Sequence, residues 1–302
     1  NHRTFTNTLK KMQKQNSLAK RAYLLHLNSL TIANGMKSGS FKSLYKGQGI
    51  DFSGVGDYLS GDDVRTIDWN VTSRMAKPYV KVFEEDKELD VFIILDKSLS
   101  METGSIRTRM DCAVECASLL SMAASIISSP TGAVLFSSEI EFSCTPATGK
   151  KHLYSLLSRY EKQLNTKQKG SALDSALIVA EKLLRKRSLV IIISDFRSKG
   201  WERPFASLCH KNDVIALRIT DSSDTILPVL GSVTFTDPET SFSESLPTHS
   251  KKFARAWREY NEQKTDAWTH ECLRRGAFPF TLNTASDAAT ELCKLFYKRG
   301  AS

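Results

Sequence analysis

Residues Val91, Phe92, Ile93, Ile94 and Leu95 are apolar at every position and run directly into Asp96. A run this short cannot cross a bilayer, and its lack of alternation fits a strand covered on both faces. A strand buried on both sides needs helices above and below the sheet, which confines the chain to an α/β arrangement. A second run of the same kind, Ser188 to Ser194 (SLVIIIS), ends in Asp195-Phe196-Arg197-Ser198. In open α/β sheets, ligands sit outside the carboxyl ends of the strands. At the first such end, Asp96-Lys97-Ser98-Leu99-Ser100 offers one carboxylate and two alternating hydroxyls, an oxygen set suited to a hard cation such as Mg²⁺. Asp and Ser also dominate ordinary turns, so D-x-S-x-S alone leaves both readings open.

Strands and helices alternate around these two runs. Residues 106 to 128, Lys150 to Gln163 and Leu173 to Arg185 have helical patterning, and Ala133 to Phe136 with Glu139 to Ser143 reads as an edge hairpin. A short helix near Pro204 to His210 precedes a strand at Val214 to Ile219, and Phe278 to Leu282 supplies a last strand. Ser286 is placed to cap a closing helix through Tyr297. This order predicts a doubly wound, mostly parallel sheet. Lys251 to Arg275 reads as a long helix whose Phe253, Trp257, Tyr260 and Trp268 form a core stripe. Ile226 to Phe242 has Pro, Gly and β-branched residues and reads as a hairpin outside the main sheet.

The expected domains are a basic helical leader over residues 1–39, a β-rich segment over 40–86 that pairs with 226–245, and the main domain over 87–302. The leader helix spans residues 8 to 30 and is broken by Asn34-Gly35, after which Gly39, Gly47 and Gly49 keep the chain loop-like. Tyr79 to Phe83 reads as a strand. Between Gly61 and Trp69 the Asp residues are suited to capping a short helix or pairing with Arg65 or Arg74, and an acidic site there is the less favoured reading.

Composition narrows the function classes. The net charge is +9, and residues 1–50 hold nine Lys and Arg with no Asp or Glu, so the remaining 33 basic residues balance all 33 acidic ones. Such a leader reads first as a solvated helix face and otherwise suits peripheral contact with anionic lipid or an acidic protein surface; its few aromatics (Phe5, Tyr23, Phe41, Tyr45) form no stacking platform, and nucleic acid is not expected as a partner. The six cysteines include no C-x-x-C pair, which points to reduced thiols and a cytoplasmic location. No transmembrane segment or secretory signal pattern is visible; the sequence opens on Asn1 and leaves a preceding segment open.

Three strand-end or loop sites can now converge on one rim: Asp96-Ser98-Ser100, Gly170-Ser171 and Asp195. Their order resembles the metal-ion-dependent adhesion site (MIDAS) of von Willebrand factor A domains. That resemblance implies Ser98, Ser100 and Ser171 as hydroxyl donors to Mg²⁺ or Mn²⁺, with Asp96 and Asp195 binding directly or through water. One position would stay open for an acidic side chain of a partner. Position 171 is Ser where such sites usually carry Thr, which keeps the hydroxyl and drops the β-methyl that restricts its rotamers. Lys97 lies inside the motif, and its direction decides whether its charge opposes a cation.

Upstream, G-x-G-x-D-F, Y-L-S-G-D-D-V-R-T-I-D-W, then S-R and Y-V-K-V-F-E-E-D, followed by D-x-S-x-S-M, resembles the bacterial family called domain of unknown function 58 (DUF58). The family often has Arg where this chain has Gly56. The resemblance implies a von Willebrand factor A-like fold and action beside a MoxR-type AAA+ ATPase in protein assembly or maturation. The expected function is therefore a non-enzymatic, chaperone-like adaptor that engages an acidic residue of the ATPase or of a client protein. The alternatives are a strand-end Asp phosphatase or phosphotransferase using Asp96, and nucleic-acid binding through the leader. Dehalogenase-type phosphatases want a second Asp two residues on, where this chain has Ser98, and no Ser-His-Asp grouping is present.

Overall fold

The structure is a computed structural model and describes residues 28–36, 49–58, 63–75, 77–86, 89–162, 170–226, 232–236, 243–247 and 250–300. Most of the expected leader helix lies outside the described residues. Two compact units emerge, one from Asn1–Ser40 with Asp90–Ser302, the other from Phe41–Leu89. In chain order the first elements are α1 (28–36), β1 (Gly49–Asp57), α2 (Trp69–Met75) and β2 (Tyr79–Asp86). Next come β3 (Val91–Asp96), α3 (Arg109–Ile126), β4 (Thr131–Phe136), β5 (Ile140–Ala147) and α4 (Lys150–Glu161). The second half holds α5 (Leu173–Leu183), β6 (Leu189–Ser194), α6 (Glu202–Lys211), β7 (Asp213–Thr220), β8 (Ser232–Thr236), β9 (Ser243–Pro247), α7 (Lys251–Arg274), β10 (Phe278–Asn283) and α8 (Ala288–Gly300).

The larger unit is a mixed α/β structure built on a six-stranded sheet of order β10-β7-β6-β3-β4-β5, parallel except for the edge strand β5. Strands β3, β4 and β6 are buried at every position, as their apolar runs require. Successive side chains on a strand point to opposite faces. Phe92, Ile94, Val190, Ile192, Val214 and Ala216 accordingly form one core with α5, α6 and Trp268 of α7. Across the sheet α3 packs on β3, with α4 and α8 beside it. Helix α3 starts where the Thr108 hydroxyl accepts from the Asp111 N–H at 3.0 Å and the Asp111 carboxylate accepts from the Thr108 N–H.

Three expectations are corrected. The helix does not break at Asn34-Gly35: α1 runs through both, and a Cβ on Gly35 would lie 2.7 Å from the Phe296 Cβ, so close packing on α8 selects the glycine. The closing helix is capped by Asp287, whose carboxylate accepts from Thr290 N at 2.8 Å, and not by Ser286. Among the described residues β1 pairs antiparallel with β2, and β8 pairs antiparallel with β9. Gly49, expected to keep the chain loop-like, instead opens β1, whose ladder with β2 has a bulge between Phe52 and Gly54.

In the smaller unit, Asp63 accepts from Arg65 N at 2.9 Å over a short 3-10 turn. Asp68 accepts from Asn70 N at 3.0 Å and Val71 N at 3.3 Å at the start of α2. These two carboxylates cap turns, in line with the capping expectation.

Candidate metal centre at the strand ends

Central strands β3 and β6 run side by side in register, Leu95 opposite Ile193, and so deliver Asp96 and Asp195 to the same rim. Both residues are buried, at 1% and 3% exposed. Asp96 Oδ1 accepts from Ser98 N at 2.9 Å, and its Oδ2 accepts from the Ser194 hydroxyl at 2.6 Å. Burial first, then the charge of Asp195, pushes the Asp96 carboxyl up to about 7, against the opposing pull of its bonds from Ser194 and Ser98. The turn after Asp96 brings the hydroxyls of Ser98 and Ser100 within 3.2 Å of each other, both residues being buried.

The third expected element arrives from a separate loop. Gly170 adopts φ +107°, a left-handed conformation that costs glycine little, and it precedes Ser171. Ala172 N then donates to Ser137 O at 2.8 Å, seating this loop at the end of β4, which is itself beside β3 with Asp96 opposite Phe136. The Ser171 hydroxyl is buried and has no hydrogen-bond partner. The same holds for Asp195 Oδ2 and the Ser198 hydroxyl. Buried polar atoms are ordinarily paired, so these atoms on the strand-end loops keep hydrogen-bonding or ligating capacity in hand.

Lys97 points away. Its Nζ donates to the carbonyls of Tyr160 at 2.9 Å and Lys162 at 2.5 Å, closing the C-terminal end of α4. Burial lowers its pKa, opposed by the charge of Glu141. The cation that does reach the site is Arg197: its Nε lies 3.5 Å from Asp195 Oδ2, and its Nη2 donates to Asp224 Oδ1 at 2.7 Å. Between them Phe196 holds φ +54°, kept there by its ring, which packs on Trp201 and Trp268 with centroids 5.4 and 5.3 Å away.

Farther along the rim, Asp221 after β7 accepts from Ser105 N and Oγ, both at 3.0 Å, from Ser223 N at 2.9 Å and from the Thr284 hydroxyl. Arg107 donates to Thr284 O at 2.8 Å and Ser286 O at 2.9 Å.

The donor set fits a hard dication. It consists wholly of oxygens, it includes two buried carboxylates side by side, and two of its members, Ser171 Oγ and Asp195 Oδ2, make no hydrogen bond. Among the described residues no group of three His, Cys, Asp or Glu side chains is placed to hold a metal, so any ion here would depend on the serine hydroxyls beside the two carboxylates. Ser194, Ser198 and Arg197 were not singled out from the sequence. Ser194 was legible in principle, as the polar residue ending a strand that otherwise reads as apolar core.

A family model described as "Protein of unknown function DUF58" matches residues 54–267. An uncharacterized protein of Mycobacterium tuberculosis (strain ATCC 25618 / H37Rv) is 28% identical over 232 residues, which are 74% of this chain and 72% of that one. An uncharacterized protein of Mycobacterium avium is 37% identical over 57 residues, 18% of this chain and 34% of its own. Among solved structures, an aerotolerance-related membrane protein from Bacteroides fragilis NCTC 9343 aligns with TM-score 0.47 and 18% identity over 70% of this chain and 98% of that one. Proximal thread matrix protein 1 from the mussel byssus aligns with TM-score 0.39 and 14% identity over 70% of this chain and 46% of that one. No helix among the described residues is long and apolar enough to cross a membrane.

Proposed function

The chain belongs to the DUF58 family of proteins of unknown function, and for this member we propose a non-enzymatic adaptor role built on a von Willebrand factor A-like metal-ion-dependent adhesion site. Asp96, Ser98, Ser100, Ser171 and Asp195 would hold Mg²⁺ or Mn²⁺. A dication there supplies a Lewis-acidic position that a partner's Asp or Glu can complete, because Mg²⁺ retains exchangeable waters when few carboxylates bind it. The partner in this reading is a MoxR-type AAA+ ATPase or its client, as the family resemblance implies.

One observation carries the proposal: two carboxylates are buried on adjacent strand ends, and the Asp195 Oδ2 and Ser171 Oγ atoms make no hydrogen bond. Burying two adjacent carboxylates is costly, and a dication would offset that cost more fully than the loose 3.5 Å contact of Arg197 Nε with Asp195 Oδ2. Asp96 has both oxygens committed to Ser98 and Ser194, which favours a ligand-positioning role over that of a free nucleophile.

The test is capture of the ATPase and clients from native extract on the immobilised protein. With Mg²⁺ the partner is retained; chelator or Asp96→Ala releases it, a loss of about 2–5 kcal/mol for a desolvated charge pair. Retention undiminished by both treatments would discard the metal bridge.

A further inference from the structure

We propose that Arg197 sets the affinity of this site: it serves as an internal counter-ion to Asp195 and yields that carboxylate to an arriving dication while staying tethered to Asp224. The inference rests on the metal-binding reading above and adds the residue that opposes the ion.

The two ends of the Arg197 contact differ in quality. Toward Asp224 there is a hydrogen bond of 2.7 Å, and Asp224 is itself fixed, by Arg109 Nη2 at 2.5 Å and by Asp221 N at 2.9 Å. Toward Asp195 the guanidinium comes only to 3.5 Å and makes no hydrogen bond with Oδ2, which stays unpartnered. The loose end is therefore the one at the metal site.

The backbone is held, and the side chain is tied at its Asp224 end only. Phe196 is locked by its aromatic neighbours and by its N–H, which donates to Ser194 Oγ at 3.0 Å; Arg197 N donates to Asp195 Oδ1 at 3.2 Å. The Arg197 side chain is 46% exposed, so its Nε can turn from Asp195 toward solvent with the Nη2 bond to Asp224 kept. Arg218, the other arginine whose charge acts on Asp195 and Asp224, is engaged elsewhere, over the Trp268 ring at 5.4 Å and on Thr265 Oγ1 at 3.3 Å. An arginine keeps its charge at any working pH, so its opposition to a dication is permanent and can be relieved only by movement or substitution.

The test is titration of Mn²⁺ into the full chain, with free Mn²⁺ read by electron paramagnetic resonance, for the native protein, R197Q and R197K. R197Q binds Mn²⁺ about fivefold more tightly, as expected for loss of a part-exposed ion pair. R197K keeps the charge and stays near the native affinity. Equal or weaker binding by R197Q, or R197K as tight as R197Q, overturns the counter-ion role while leaving the metal site standing. Failure of both the native protein and R197Q to take up Mn²⁺ overturns the metal reading itself, and this inference with it.

Discussion

The ammonium of Lys97 donates to the carbonyl of Tyr160 at 2.9 Å, although it is the very next residue after the rim carboxylate Asp96. A lysine inside the proposed cation-binding motif thus spends its charge on the end of a helix, where backbone carbonyls concentrate negative potential. Lys97→Met is expected to lower stability by about 2 kcal/mol, through loss of charged hydrogen bonds at a site only 7% exposed. Its Mn²⁺ affinity stays within about twofold of native. Urea unfolding and metal titration read the two effects separately; markedly tighter metal binding would mean that the side chain faces the rim.

Asp96 gives the metal-free protein a pH dependence of unusual sign. Its carboxyl is raised to about 7 in the fold against 3.8 as its ordinary value, so between these values the folded state holds a proton that the unfolded chain has lost. Its contribution to stability is therefore fully present below about pH 4 and declines as pH rises to about 7, by at most about 1.4 kcal/mol per unit. Asp96→Asn removes that slope and is more stable than the native metal-free chain at pH 7.5, while its Mn²⁺ affinity drops more than about tenfold. Denaturation curves from pH 5 to 8, with and without chelator, check the sign; a native slope unchanged by the substitution would assign it to other groups.

Phe196 combines a left-handed backbone with a buried ring. Phe196→Ala loses the aromatic contacts and keeps the unfavourable φ, for an expected cost of about 3 kcal/mol. Phe196→Gly removes still more of the side chain but relieves the backbone, and is expected to be about 1 kcal/mol less damaging than the alanine variant. Paired melting curves decide; a glycine variant less stable than the alanine one would show that the ring alone matters.

Local pattern carried the main sheet. Val91–Leu95 and Leu189–Ile193 are apolar throughout because both faces of β3 and β6 are covered, and burial of that kind leaves a continuous trace in sequence. The rim residues Asp96, Ser98, Ser100 and Asp195 were visible for the same reason, as polar groups that end such runs. Features set by distant chain were not visible. The direction of Lys97 depends on where α4 stops, 63 residues later, and the tether of Arg197 depends on Asp224, 27 residues on. Strand β1 was hidden by its glycines, since its ladder is supplied by β2 and not by its own propensity. The Asp287 cap shows the usual slippage at helix ends, where adjacent Ser and Asp compete for one role.

Asp221 is a hub for three loops that leave three different strands, gathering Ser105 from the β3 side, Ser223 from β7 and Thr284 from β10. Burial acts to raise its carboxyl, but the donations of Ser223, Thr284 and Ser105 prevail and hold it well below the ordinary carboxylate range, so the hub keeps its charge through mild acid. A tug on any one spoke is shared by the other two. A partner of the proposed site would therefore meet a braced wall along this side, where the Nε end of Arg197, tied only through Asp224, is the part able to give way.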